Sequence, residues 1–202
     1  MTKVLLDRYG RTYAEQAGIR LADKPAPLYQ LQVLSLLMSA RIRAEVAVSA
    51  ACELFGAGCT TPRKMVAASW QDRVDALGRG SYRRYDERTA TQLGAGAQVL
   101  LDRYGGDLRT MRGDGFPERL REIPGIGPVG AEIFAREAQG IWPELAPALS
   151  GKVLDGAARL HLPKDRLAEL VDRQDLPRFA AALTRVALDK KASNEVLEAA
   201  RG

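Results

Sequence analysis

Residues 120–134, Leu-Arg-Glu-Ile-Pro-Gly-Ile-Gly-Pro-Val-Gly-Ala-Glu-Ile-Phe, leave the backbone little choice. Leu120 and Ile123 close one helical stretch, and Pro124-Gly125-Ile126-Gly127 forces a tight reversal. A second helix is predicted to start at about Pro128, since proline suits a first helical position. The two glycines supply backbone angles that other residues avoid and leave bare N–H groups facing outward. At a helix N-terminus, the unpaired donors and the positive end of the dipole favour an anion.

Two helices joined this way form a helix-hairpin-helix, a sequence-independent grip on a nucleic-acid strand. The residues expected to touch the strand are Pro124, Gly125, Ile126, Gly127, Val129 and Gly130. The alternative is a plain helical hairpin with a Pro-Gly turn. Gly-Ile-Gly-Pro at a helix start is an unusual way to build one.

Nearly every other segment also reads helical. Leu31, Leu34, Met38 and Ile42 fall at helical spacing, and Val46 and Ala50 continue the stripe. Phe179, Ala182, Leu183, Val186 and Ala187 do the same near the C-terminus. No run alternates as a half-buried strand would. Breaks are short, as at Lys24–Pro27, Gly56–Gly58 and Gly113–Gly115, and Thr61-Pro62 reads as an N-cap followed by proline. The expectation is an all-α chain of some nine or ten helices. Leu-Leu-Asp-Arg-Tyr-Gly occurs at 5–10 and at 100–105, each copy ending in a glycine just past a last helical turn. The sequences between them do not repeat, so this is convergence on a good helix stop.

The formal charge of +5 suits a polyanionic partner, with arginine, a bidentate phosphate ligand, supplying most of the cations. No apolar run is long enough to span a bilayer, and Met1-Thr2-Lys3 does not open a signal peptide. A cytoplasmic, nucleoid-associated protein is expected. Cys52 and Cys59 are the chain's two cysteines and His161 its one histidine, too few for a structural zinc site or an iron–sulfur cluster. Both cysteines are expected to act as small buried or half-buried hydrophobes.

The order of segments over residues 27–160 resembles the helix-hairpin-helix DNA glycosylases, the superfamily of endonuclease III, adenine glycosylase and alkyladenine glycosylase. Pro27–Leu31 through Leu36-Leu37-Met38-Ser39-Ala40-Arg41 is similar to that family's first long helix with its Leu-Leu-Ser-Ala-Gln ending. Leu77–Tyr82 followed by Arg83–Arg88 resembles the segment whose turn touches opened duplex, and Val99–Leu108 the link to the hairpin. The resemblance implies two helical lobes with a DNA cleft between them. One is a six-helix bundle over 28–136; the other combines 1–27 with 137–202. It implies double-stranded DNA, damaged or abasic, as partner to a monomer, with one nucleotide extruded for chemistry. Arg41 stands where a glutamine commonly fills the gap in the base stack, and Ser81 where a bulkier apolar wedge often sits. A monovalent cation on the hairpin's main-chain carbonyls is common in the family. Cluster-bearing members carry a cysteine-rich loop after the hairpin lobe. The tail from Leu162 has no cysteine, so no iron–sulfur cluster and no other cofactor is expected.

The resemblance also says where chemistry belongs. Cleaving a glycosidic bond develops positive charge on the sugar, which a neighbouring carboxylate stabilises. The family places an aspartate after the hairpin's second helix, and bifunctional members add a Schiff-base lysine at that helix's start. Here an ungapped alignment puts Val129 at the lysine position. On one register Ser150 replaces the aspartate; it keeps the N-cap role but not the charge. A deficit of about 3 kcal/mol in the transition state is ~100-fold in rate. On the rival register Leu154-Asp155-Gly156 matches Leu-Asp-Gly literally, but it lengthens the stretch after the hairpin and puts Gly156 inside a helix over 152–160. Glu132 is a further candidate acid and Lys152 a nearby amine; a solvated helix carboxylate and a surface cation are the plainer readings.

Three functions remain open: a DNA-binding member with weak or absent excision chemistry, an active monofunctional glycosylase using Asp155 or Glu132, and a helical hairpin for protein contacts. The first fits best, because an intact hairpin stands beside Val129 and Ser150.

Overall fold

Proline and glycine positions set most of the helix ends. The computed structural model describes residues 1–200, and among them twelve α-helices, four 3-10 segments and no strand. In order they are α1 (Thr2–Tyr9), α2 (Tyr13–Gln16), α3 (Pro25–Met38), α4 (Ala44–Gly56), α5 (Pro62–Ala67), α6 (Trp70–Arg79), α7 (Asp86–Tyr104), α8 (Phe116–Leu120), α9 (Pro128–Ala138), α10 (Lys152–Arg159), α11 (Leu176–Leu188) and α12 (Lys190–Ala199). Pro25, Pro62, Pro117, Pro128 and Pro177 all occupy a first or second helical position, where the missing N–H would be unpaired anyway. Thr61 caps α5 as expected, its hydroxyl accepting from the Lys64 amide at 3.3 Å. Gly10 and Gly105 do follow the last turns of α1 and α7; Gly105 alone of the two is left-handed, at φ +61°.

The chain divides into two compact units, Ala14–Phe134 and Met1–Tyr13 with the chain from Ala135 on. In the first, α3 is the central helix. Leu28 through Leu37, apart from Gln30, are buried around its whole circumference, as a helix apolar on every face must be. The helical stripe read continuously from Leu31 to Ala50 is two helices. Ser39–Arg43 interrupts it before α4 begins at Ala44, so Arg41 lies in a loop. Arg73 is buried in this unit, donating from Nε to the Ala90 carbonyl (2.9 Å) and from Nη1 to those of Met65 (2.9 Å) and Ala68 (2.7 Å). Part of the arginine excess is therefore architectural. Residues 14–27, which sequence grouped with the C-terminal chain, pack here through buried Ala14, Ala17 and Ile19 and an Arg112–Asp23 ion pair at 2.9 Å. Cys59 is buried but Cys52 is exposed, because it sits opposite the Ala47, Ala50, Ala51 and Leu54 face of α4.

In the second unit α11 is the centre, with α1, α10 and α12 packed on it. Phe179, Ala182, Leu183, Val186 and Ala187 are buried, as their spacing predicts. Gly156 is inside α10 for a packing reason: any Cβ there would collide with the Leu183 carbonyl of α11. Tyr13 is buried with the guanidinium carbons of Arg185 and Arg136 at 4.3 and 5.6 Å from its ring centre, a cation–π stack in a desolvated place.

Candidate nucleic-acid interface

Local chemistry builds the hairpin. After α8, the Ile126 amide donates to the Ile123 carbonyl at 3.0 Å and closes the turn. Ile123 and Ile126 are buried and fasten it to the core. Gly125 has φ +91°, and a Cβ on it would lie 2.7 Å from Leu36 Cδ1 and 3.2 Å from the Gln92 side chain. Only glycine meets both conditions. Gly127 has ordinary φ and open space around its Cα.

α9 then starts at Pro128, as sequence indicates. The Ala131 amide is the first to find a helical acceptor, Gly127 O at 3.0 Å. The amides of Gly125, Gly127, Val129 and Gly130 have no hydrogen-bond partner among the described residues. Pro128 and Val129 are exposed, Val129 to 55%, so the first residues of the helix are open to solvent, whereas Gly130, expected to touch the strand, is buried because it packs against Ile126. This is an anion-seeking helix end held on a rigid turn.

Beside the turn is a pocket of about 420 Å³. Gly125 forms one side; Ser39 and Arg41 come from the α3–α4 loop, and Tyr85, Arg88 and Gln92 line it from the start of α7. Buried Leu36, Tyr82 and Thr89 complete its lining. The Ser39 hydroxyl donates to Leu36 O at 2.7 Å. Burial pushes the Tyr82 phenol up, so it stays a neutral O–H. Arg88 ends the segment that resembles the family's duplex-touching turn, but sequence reasoning did not single it out, and Gln92 carries no motif. The available signal is their spacing with Tyr85, which places all three on one face of a helix.

Ser81 is exposed in the α6–α7 turn at φ +65°. Its amide donates to Gly78 O (3.0 Å) and that of Tyr82 to Leu77 O (2.9 Å). That pair of bonds is a Schellman stop, which sets Ser81 in the left-handed position usually held by glycine.

The candidate catalytic residues after the hairpin lie in the α11-centred unit. Ser150 does not cap α10. Gly151 does, at φ +53° with no side-chain bond, and Ser150 contributes only its carbonyl, to Val153 N at 3.1 Å. The left-handed entry at Gly151 puts the serine one residue too early for the role sequence gave it. Asp155 is exposed in the first turn of α10, with Lys152 Nζ at 2.8 Å from its carboxylate. That hydrogen bond and charge hold Asp155 below the usual carboxylate range, so it stays ionised but paired with Lys152. Glu132, on α9 in the hairpin unit, is exposed. Among the described residues no cluster of three histidine, cysteine or carboxylate side chains is placed to hold a metal ion, and no helix is long and apolar enough to cross a membrane.

No protein-family model matches the chain, and no curated protein matches it in sequence. Two solved structures match its fold, each over 90% of this chain and 82% of the other. One is a trapped covalent intermediate of endonuclease III with DNA, an estranged-adenine complex, at 14% identity and a TM-score of 0.54. The other is a non-covalent endonuclease III–DNA complex at 16% identity and a TM-score of 0.53. The chain has the all-α fold of those proteins.

Proposed function

We propose that this protein binds double-stranded DNA through the hairpin at Pro124–Gly130, favours damaged, abasic or distorted duplex, and has weak or absent base-excision chemistry. The observation that carries the reading is the set of unpartnered amides at Gly125, Gly127, Val129 and Gly130, at a helix start whose first residues, Pro128 and Val129, are exposed. A phosphodiester oxygen accepts from such donors whatever the base sequence. The endonuclease III–DNA complexes that share the fold support the choice of DNA as the anion. Arg41 and Arg88 add charge beside the turn, and Ser81 is too short to wedge an opened stack.

Two features support the chemical part. Val129 has no amine for a Schiff base. Ser150 has no charge, and the Asp155 carboxylate is engaged with Lys152 in solvent. Where a monovalent cation joins the hairpin, the turn's main-chain carbonyls would hold it. Ile123 O is one, with a lone pair left beside its bond from Ile126 N. Such neutral oxygens suit a weakly held ion that adds positive charge near a phosphate.

The test is duplex binding as a function of salt, run beside single-turnover excision assays on uracil, oxidised, alkylated and mismatched bases. Binding through several phosphates gives a log–log slope of about −0.9 for each one neutralised by a side-chain cation. Absence of binding at low salt rejects the DNA reading and returns the hairpin to protein contacts. Rapid excision of any base rejects the inert chemistry in favour of a monofunctional glycosylase.

A further inference from the structure

The pocket beside the hairpin has a charge pattern that gripping a continuous strand does not require. Arg41 and Arg88 both line it, and neither makes an ion pair or hydrogen bond among the described residues. In the same unit Arg79, Arg103 and Arg112 are paired with Glu53, Glu122 and Asp23 at 2.8–2.9 Å, while Arg20, Arg63 and Arg121 are exposed without an ion pair; what sets Arg41 and Arg88 apart is that both line one recess. No carboxylate lines the pocket; Asp86 and Glu87, next in sequence, stay outside it. Two free guanidinium groups therefore face a space with no internal counter-charge.

Shape narrows the ligand. At about 420 Å³ the pocket falls within the range of small-molecule sites, about 300–1,000 Å³. Buried Leu36, Tyr82 and Thr89 are part of its lining. An unbroken strand can bring only phosphodiesters to this recess, even where it turns a nucleotide out, whereas a chain end can bring a phosphomonoester. A terminal phosphate carries up to two negative charges where an internal phosphodiester carries one, matching the two guanidinium groups.

We propose that this pocket binds a nucleotide-borne phosphomonoester, as at the phosphorylated end of a DNA strand break lying against the hairpin. Arg41 and Arg88 clamp the phosphate, and Gly125 lets the strand approach the pocket wall. The source of the ligand, a strand end, rests on the DNA reading of the hairpin; the phosphomonoester chemistry does not.

The experiment measures fluorescence anisotropy on a nicked duplex closed by loops at both ends, with the nick carrying a 5′-phosphate, a 3′-phosphate or hydroxyls only. A terminal phosphate at one or other side should tighten binding about tenfold over hydroxyls. Arg88→Gln and Arg41→Gln should bring that ratio close to one, with melting curves unchanged because both side chains are exposed. In parallel, dAMP and deoxyadenosine are titrated while the Gly125 amide is followed by NMR. A response to dAMP alone, without any end preference, keeps the phosphomonoester site and makes a free nucleotide its ligand. Binding of dAMP with no binding of duplex overturns the DNA reading and keeps the pocket. A ratio of one in the parent protein together with no response to dAMP overturns the proposal, even where intact duplex is bound normally.

Discussion

Alanine at the two hairpin glycines should separate stability from binding. At Gly125 the methyl would be forced into φ +91° and to 2.7 Å from Leu36 Cδ1. The left-handed angle costs roughly 1–2 kcal/mol and the overpacking about 1–3 kcal/mol. Together they cost about 2–5 kcal/mol, or roughly 4–20 °C in Tm for a domain of about 150–250 residues. At Gly127 the methyl would meet nothing within 4 Å and φ is ordinary. Gly127→Ala should therefore hold or raise stability, by up to about 1 kcal/mol, through a less flexible unfolded chain. The methyl would stand among the free amides, however, where the phosphate must approach. Losing one hydrogen bond to a charged group costs about 1.5–3 kcal/mol, or roughly 10–150-fold in affinity. The amides carry no net charge, so the salt slope should barely move, whereas Arg41→Gln should lower it by about 0.9. Thermal melts and anisotropy on two unrelated duplexes read both effects. A Gly127→Ala protein that folds and binds DNA like the parent would refute the reasoning.

Val129→Lys restores an amine at the exposed start of α9; borohydride should then trap a covalent adduct with abasic duplex that the parent does not form, and its absence would reject the alignment. Asp155→Asn should leave binding and any residual excision unchanged, since the carboxylate is ion-paired in solvent; abolished excision would make it the catalytic acid. Tyr9 Oη donates to Glu195 at 2.6 Å, a bond that, as its main cause, pushes the phenol up to about 12. A folded-state pKa above the unfolded value of about 10 means the bond's stabilisation is complete below pH 10 and lost as pH rises through 12. Tyr9→Phe should thus cost about 1 kcal/mol at neutral pH, and urea melts should show the gap to the parent closing above pH 10.

The hairpin could be read in sequence because its determinants are local. Pro128 at a helix start, and glycines where a turn needs unusual angles or bare amides, act over a few residues. The apolar spacing on α11 was readable for the same reason. What needed coordinates was set by distant partners. Gly156, as a glycine inside a helix, counted against the Asp155 register, and only the α11 backbone beside it gives that glycine a packing reason. Ser150 read as a cap because no local rule says that Gly151 turns left-handed first. The stripe from Leu31 to Ala50 fits helical spacing, which does not register the loop at Ser39–Arg43. The pocket was invisible because Arg41, Arg88 and Gly125 are far apart in sequence and meet only when α3, α7 and the hairpin pack together.

The most direct test is an amide NMR titration with short duplexes of different sequence. The hairpin reading requires the Gly125, Gly127, Val129 and Gly130 signals to move first, and alike for every duplex. Duplex binding that leaves those four amides unmoved, or moves them for one base sequence only, would contradict it.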